Sequence, residues 1–237
     1  MTDARILVVN ADDFGLTNGV NAGIARAHEQ GILTSASLMV RWPAAPEAAA
    51  YAAEAPRLGV GLHADLGEWE FKDGAWVPVY SVVDPHDPAA VEAELRAQVD
   101  AFRALMGRDP THIDSHQHIH RQEPAPKFGM VAAELGIPLR SFTPGINYIN
   151  FYGQTKRGVP VEGSITVERM LKMLDELPPG VTEICCHPGI AGDTGTVYDA
   201  DRALEVDILC DPRVRAALET GGIELRSFAD IDSHASA

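Results

Sequence analysis

Short apolar runs alternate along this chain with longer amphipathic stretches, and that alternation leaves few architectures open. Runs rich in Val, Ile and Leu predict strands over 4–10, 32–40, 58–64, 111–118, 138–142, 182–187 and 222–228. Helical periodicity fills the intervals at 18–30, 44–54, 88–106, 124–135, 166–177 and 200–220, the first closed by Gly31 as a C-terminal cap. Strand followed by helix, repeated, favours right-handed crossovers and a mostly parallel sheet. Closing such units makes a distorted seven-unit (β/α) barrel, an incomplete relative of the eight-stranded one, with its chemistry at the carboxyl ends of the strands. An open doubly wound sheet would place a ligand at the same edge. The 237 residues are read as one catalytic domain, 1–237, with no repeat or linker.

Four of the apolar runs end in residues able to bind metal or move protons: VVNADDF with Asp12 and Asp13, VGLHAD with His63 and Asp65, HIDSHQHIH, and EICCHPG with His187. Buried parallel strands would bring those ends to one rim, which points to a metal-centred site. Neighbouring side chains on a strand face opposite ways, so Asp12 and Asp13 serve one site only where the strand is ending, and Gly15 supplies freedom for the turn. One carboxylate would then ligate while the other takes a proton from water; the alternative is that one caps the helix beginning near Asn18. Asp65, two residues after His63, could orient it, or both could be structural.

His112, Asp114, His116, His118 and His120 occupy every second position. On an extended segment they would lie about 6.6 Å apart, too far for all to bind one ion, so one ligand is expected; an exposed metal-sequestering tract is the competing reading. His187, followed by Pro188 and Gly189, is placed either to protonate a leaving group or as a turn histidine. Cys185 and Cys186 read as buried small hydrophobes rather than nucleophiles. Two longer loops, 67–87 with Trp69, Phe71, Trp76 and Tyr80, and 143–165 with Tyr148, Phe151 and Tyr152, are candidate substrate walls.

Lys and Arg total 19 against 34 Asp and Glu, a formal charge of -15, so nucleic acid and anionic membrane are poor partners. Three cysteines, two of them adjacent, imply no disulfide framework, and no run approaches the roughly 18 apolar residues of a membrane span. A cytoplasmic protein without membrane insertion is expected, with a homodimer as the default assembly.

The segments NADDFGLTNGVNAGI, TSASLMV, LGVGLH, THIDSHQHIH and HPG, in this order, resemble the YdjC-like carbohydrate deacetylases. The resemblance implies a distorted seven-unit barrel related to the polysaccharide deacetylases, with one divalent ion held by an Asp and two His. Residue by residue, it implies Asp13, His63 and His116 as metal ligands, Asp12 as general base, His187 as general acid, and Arg140 as the arginine that orients the base. It further implies a small N-acetylated sugar as substrate; for a ligand set of this kind zinc is the preferred ion, because imidazoles favour it, and magnesium the alternative. After GLH the family usually has an apolar, Asn/Thr-rich stretch, whereas ADLGEWEFKDG follows here, which leaves the sugar open. Two other classes stand beside this expectation. A metal-dependent phosphoesterase would want a second ion or a cationic clamp, and a catalytically silent sugar-binding or metal-storage protein would have no use for the spare carboxylate.

Overall fold

The computed structural model describes residues 4–122, 125–195 and 198–231. Strands and helices alternate as β1 (Arg5–Phe14), α1 (Asn18–Gln30), β2 (Ser35–Leu38), α2 (Ala45–Glu54) and β3 (Gly59–Ala64). A hairpin, β4 (Gly67–Lys72) and β5 (Ala75–Ser81), precedes α3 (Pro88–Met106) and β6 (Ile113–Ser115). A 3-10 segment (His116–Arg121) leads to α4 (Ala125–Leu135), β7 (Ile146–Asn150), α5 (Val167–Asp175) and β8 (Gly180–Cys186). The chain closes with α6 (Asp199–Leu209), α7 (Pro212–Gly221), β9 (Ile223–Leu225) and a 3-10 turn (Phe228–Asp230).

All strands but the hairpin pair in parallel, in the order β6-β3-β2-β1-β8-β7, with β9 against the start of β1. A one-residue parallel bridge, Ile113 to Leu139, continues the curve beyond β6. Strands thus follow one another around the sheet in chain order, with the break between Leu139 and β7: an open barrel of the expected class. β1 is hydrogen-bonded on both sides and buried on both faces, which explains its near-continuous apolar composition. Leu7, Val9 and Ala11 join the apolar core, whereas Asn10 and Asp12, of opposite parity, meet Ser37, Asp114 and Arg140 inside the curve.

Several expected elements differ. The strand expected over 138–142 is only the Leu139 bridge, because the chain turns at Ser141 with φ 66°. The region 111–118 is extended only to Ser115; Gln117 and His118 adopt φ 50° and 54°, so the alternating histidines do not share a strand face. The helix expected over 200–220 is two, because Asp211 caps α7 through Arg213 N and Pro212 takes the first turn, where its missing N–H is harmless. β4 and β5 form a hairpin within the expected loop 67–87, and β7 is a strand within the expected loop 143–165. Pro124, the first residue expected in the fourth helix, lies outside the described residues. Neither Asp12 nor Asp13 caps α1: Thr17 does, accepting from Val20 N. Among the described residues no helix is long and apolar enough to cross a membrane.

α1 packs with its Gly23 directly on the loop after β8. A Cβ at Gly23 would meet Gly189 Cα at 2.4 Å, so only glycine permits this approach.

Candidate metal centre

Asp12 and Asp13 share a rim because β1 carries a bulge there. Ala11 pairs with Ala36 but Phe14 with Leu38, so β1 fits one extra residue against β2, and Asp13 takes up φ 65°. Such a bulge re-aims successive side chains, and Asp tolerates the left-handed region better than most residues.

The two carboxylates then meet different company. Asp13 Oδ1 lies 3.4 Å from His63 Nε2 and 3.2 Å from His116 Nδ1, while its Oδ2 accepts from Arg202 Nη2 at 2.6 Å. One ligand atom each from Asp13, His63 and His116 lies within 4.8 Å of the others. Asp12 is held instead by the Arg140 fork, with Nη1 on Oδ2 at 2.7 Å and Nη2 on Oδ1 at 2.6 Å, and takes lesser donors from Asn10 Nδ2 and Cys185 Sγ. Arg140 also reaches Glu183 Oε1 and Asp114 Oδ2, both at 2.7 Å. Its side chain is wholly buried, so a single guanidinium faces three carboxylates.

The electrostatics follow from that arrangement. Burial works to raise the Asp12 carboxyl, but the charge and hydrogen bonds of Arg140, together with His63 and His187, outweigh it and hold the group well below the usual range. Asp13 behaves alike, with Arg202 and the two histidines overcoming burial. Burial would also discharge His63, yet Asp114 and Asp12 keep it protonated up to about 10, and the carboxylates of Asp13 and Glu68 carry His116 to about 9 against burial. The spot between these residues is therefore one where positive charge is favoured. Two imidazole nitrogens and a carboxylate oxygen converge there, a donor set suited to a divalent ion. Asp114 Oδ1 accepts from His63 Nδ1 at 2.6 Å, leaving Nε2 turned toward Asp13, as ligand histidines commonly require. Two other acidic groupings, Asp12 with Cys185 and His187 and Asp12 with His63 and Asp114, use carboxylates already bonded to Arg140, which opposes a cation.

His187 stands opposite, Nε2 3.8 Å from Asp12 Oδ2. Burial pulls its ring down to about 4 despite Asp12 and Asp13, so it rests neutral. The other histidines diverge. His112 is hydrogen-bonded to Ser37 and stacked on Phe228, His118 meets the Tyr148 hydroxyl at 3.1 Å, and His120 meets Ser115 Oγ at 2.7 Å. Asp65 does not orient His63, because it is engaged by Trp42 Nε1 and the Tyr80 hydroxyl; Asp114 does. Cys185 and Cys186 are fully buried with thiols pushed well up by burial, as inert small hydrophobes would be. Of the aromatic wall candidates, Trp76 packs edge-on against Phe71 and is half exposed, Tyr148 is tied to His118, and Tyr152 stacks on Tyr198 beside His187.

Sequence reasoning missed Arg202 and Glu205. Both are buried on α6, where Glu205 accepts from His187 N and from the Tyr198 hydroxyl, and Arg202 spans from Asp13 to the His187 carbonyl. Their spacing was a usable signal: positions 202, 205, 206 and 209 share a helix face, so two charges interrupt the stripe completed by Val206 and Leu209.

The YdjC-like protein family model matches residues 6–220. A chitooligosaccharide deacetylase from Serratia marcescens is 30% identical, over 96% of this chain and 99% of its own length. A structure from Enterococcus faecalis V583, provisionally named for cellobiose-phosphate cleavage, superposes with TM-score 0.75 at 27% identity, covering 95% of this chain and 98% of that one. The Streptomyces lividans family 4 carbohydrate esterase, solved with acetate, shares the fold at TM-score 0.59 and 13% identity, covering 94% of this chain and 93% of that one.

Proposed function

The chain belongs to the YdjC-like family, and on that premise we propose that it removes acetyl groups from N-acetylated amino sugars by metal-assisted amide hydrolysis. The substrate class is a small oligosaccharide or glycoconjugate. The observation that carries this reading is the division of labour between two adjacent buried aspartates, Asp13 facing two imidazoles and Asp12 facing a guanidinium.

Asp13, His63 and His116 would hold one divalent ion, zinc by preference and magnesium as the alternative, since two nitrogens and one oxygen suit zinc. A bound ion supplies Lewis-acid polarisation of the amide carbonyl and a more acidic water. Asp12 takes the proton from the attacking water, with Arg140 fixing the direction of both its oxygens. A carboxylate held that low keeps a proton only briefly and passes it on. The imidazole facing it is His187, which delivers a proton to the departing amine. Because that ring rests neutral, its proton arrives during turnover rather than before it.

The alternative of phosphoester hydrolysis finds less support, because the buried arginines Arg140 and Arg202 are committed to Asp12 and Asp13 and present no clamp for a phosphate. The test is acetate release from N-acetylated mono-, di- and trisaccharides after chelation and metal restoration, beside phosphate release from aryl phosphates. Ion-dependent acetate release is expected. Asp12→Asn should lose about 10²- to 10⁴-fold in turnover while still binding metal. A flat acetate response across the sugars, or an Asp12→Asn enzyme as fast as the parent, would overturn the reading.

A further inference from the structure

The two histidines of the candidate centre are oriented unequally, and the difference leads to the hairpin. His63 is locked by Asp114, a fully buried neighbour on β6. His116 lies beyond the end of that strand in the turn where Gln117 is left-handed, and its Nδ1 faces Asp13 while its Nε2 faces Glu68 Oε2 at 3.6 Å. Glu68 is the second residue of β4, four residues after the strand that carries His63, and its side chain is 30% exposed.

That hairpin is fastened at two points. Its base is held by Asp65, whose Oδ1 accepts from Gly67 N and from the Tyr80 hydroxyl, both at 3.0 Å. Beside Glu68, the Gln117 amide clasps the Trp69 backbone from both sides, accepting from its N at 3.0 Å and donating to its O at 2.9 Å. Asp65, which does not orient His63, thus anchors the segment that reaches His116.

We propose that Glu68 is a positioning residue for His116, its carboxylate accepting from Nε2 so that Nδ1 is presented toward Asp13. The inference rests on the metal reading above and extends it: the centre is completed by a surface hairpin, not by the barrel alone. A carboxylate behind a ligand imidazole both fixes the ring and raises its basicity, and its loss commonly costs 10- to 100-fold in metal affinity.

The test is zinc affinity, measured by competition with a chromophoric chelator, for the parent, Glu68→Ala and Glu68→Gln, with the melting temperature of each chelated protein alongside. Glu68→Ala should bind zinc about 10- to 100-fold more weakly while melting, metal-free, with the parent. Glu68→Gln, which keeps a side-chain acceptor, should regain part of the loss. Zinc affinity within about twofold of the parent for Glu68→Ala overturns the role of Glu68 and leaves the centre standing. A loss of affinity matched by a lower metal-free melting temperature also overturns it, assigning the effect to hairpin folding. Absence of zinc binding by the parent would instead remove the centre itself.

Discussion

Replacing Arg140 by Met removes the guanidinium that three buried carboxylates share, and each of the three responds differently. Asp114 keeps His63 and Ser37, with bonds of 2.6 Å each. Glu183, already pushed up to about 7 by burial against the pull of Arg140, protonates readily. Asp12 keeps as hydrogen-bond donors the Asn10 amide at 3.1 Å and the Cys185 thiol at 3.3 Å, with the charge of His63 nearby. Breaking a buried ion pair by removing one partner costs about 3–5 kcal/mol, and that loss is expected at pH 8. The pH dependence supplies the sharper test. In the parent, Asp12 titrates below its unfolded value, so its stabilisation is present above roughly pH 4 and is lost only as acid reaches its folded pKa. In Arg140→Met, burial, the largest influence on Asp12, is opposed mainly by the charge of His63 and raises the same group above its unfolded value, so stability declines as pH rises from the unfolded to the raised folded value. Glu183 moves in the same direction. The deficit relative to the parent should therefore be smaller at pH 5 than at pH 8, by about 1.4 kcal/mol for each pH unit traversed below the raised pKa. Urea denaturation of both chelated proteins at the two pH values measures it. A deficit that is equal at both, or larger at pH 5, would refute the account of Arg140 as the charge partner of Asp12.

Two further outcomes are expected. Gly23→Ala sets a helix-propensity gain of about 1 kcal/mol against a backbone clash of about 2 kcal/mol with Gly189, so the melting temperature should fall by roughly 2–4 °C; a rise would show that the loop carrying His187 yields freely. With Ellman's reagent, the partly exposed Cys210 should react in the folded protein, whereas Cys185 and Cys186 should react only after denaturation; three reactive thiols under native conditions would contradict their burial.

The parts of the fold that were legible are those where local pattern and tertiary role agree. β1 reads as a strand because it is buried on both faces, and α1 reads as a helix because Thr17 caps it and Gly31 follows it. The hairpin was legible in principle, since Asp73 and Gly74 both take positive φ between alternating residues, but its exposed face made it pass for loop. β7 escaped because it is only half buried, so its apolar content is thin. The histidine segment misled for the opposite reason: its two-residue repeat imitates a strand, while the left-handed turn at Gln117 and His118 has no glycine to announce it. In the site, strand-end positions gave Asp12, Asp13, His63, His187 and the alternating histidine segment as candidates, and the family resemblance singled out His116 within that segment. Which partner each would meet was not legible, because Arg140 lies 128 residues from Asp12 and Arg202 lies 189 residues from Asp13.

The bulge near the end of β1 makes the rim sensitive to residue count as well as residue type. Deleting one position there would restore even pairing with β2 and rotate the aspartates by half a strand period, exchanging the neighbour of the imidazoles for the neighbour of the guanidinium. Drift by substitution is open to this segment at many points, but drift by insertion or loss is closed, and relatives that keep the chemistry should keep the spacing from Asn10 to Gly15 without gaps.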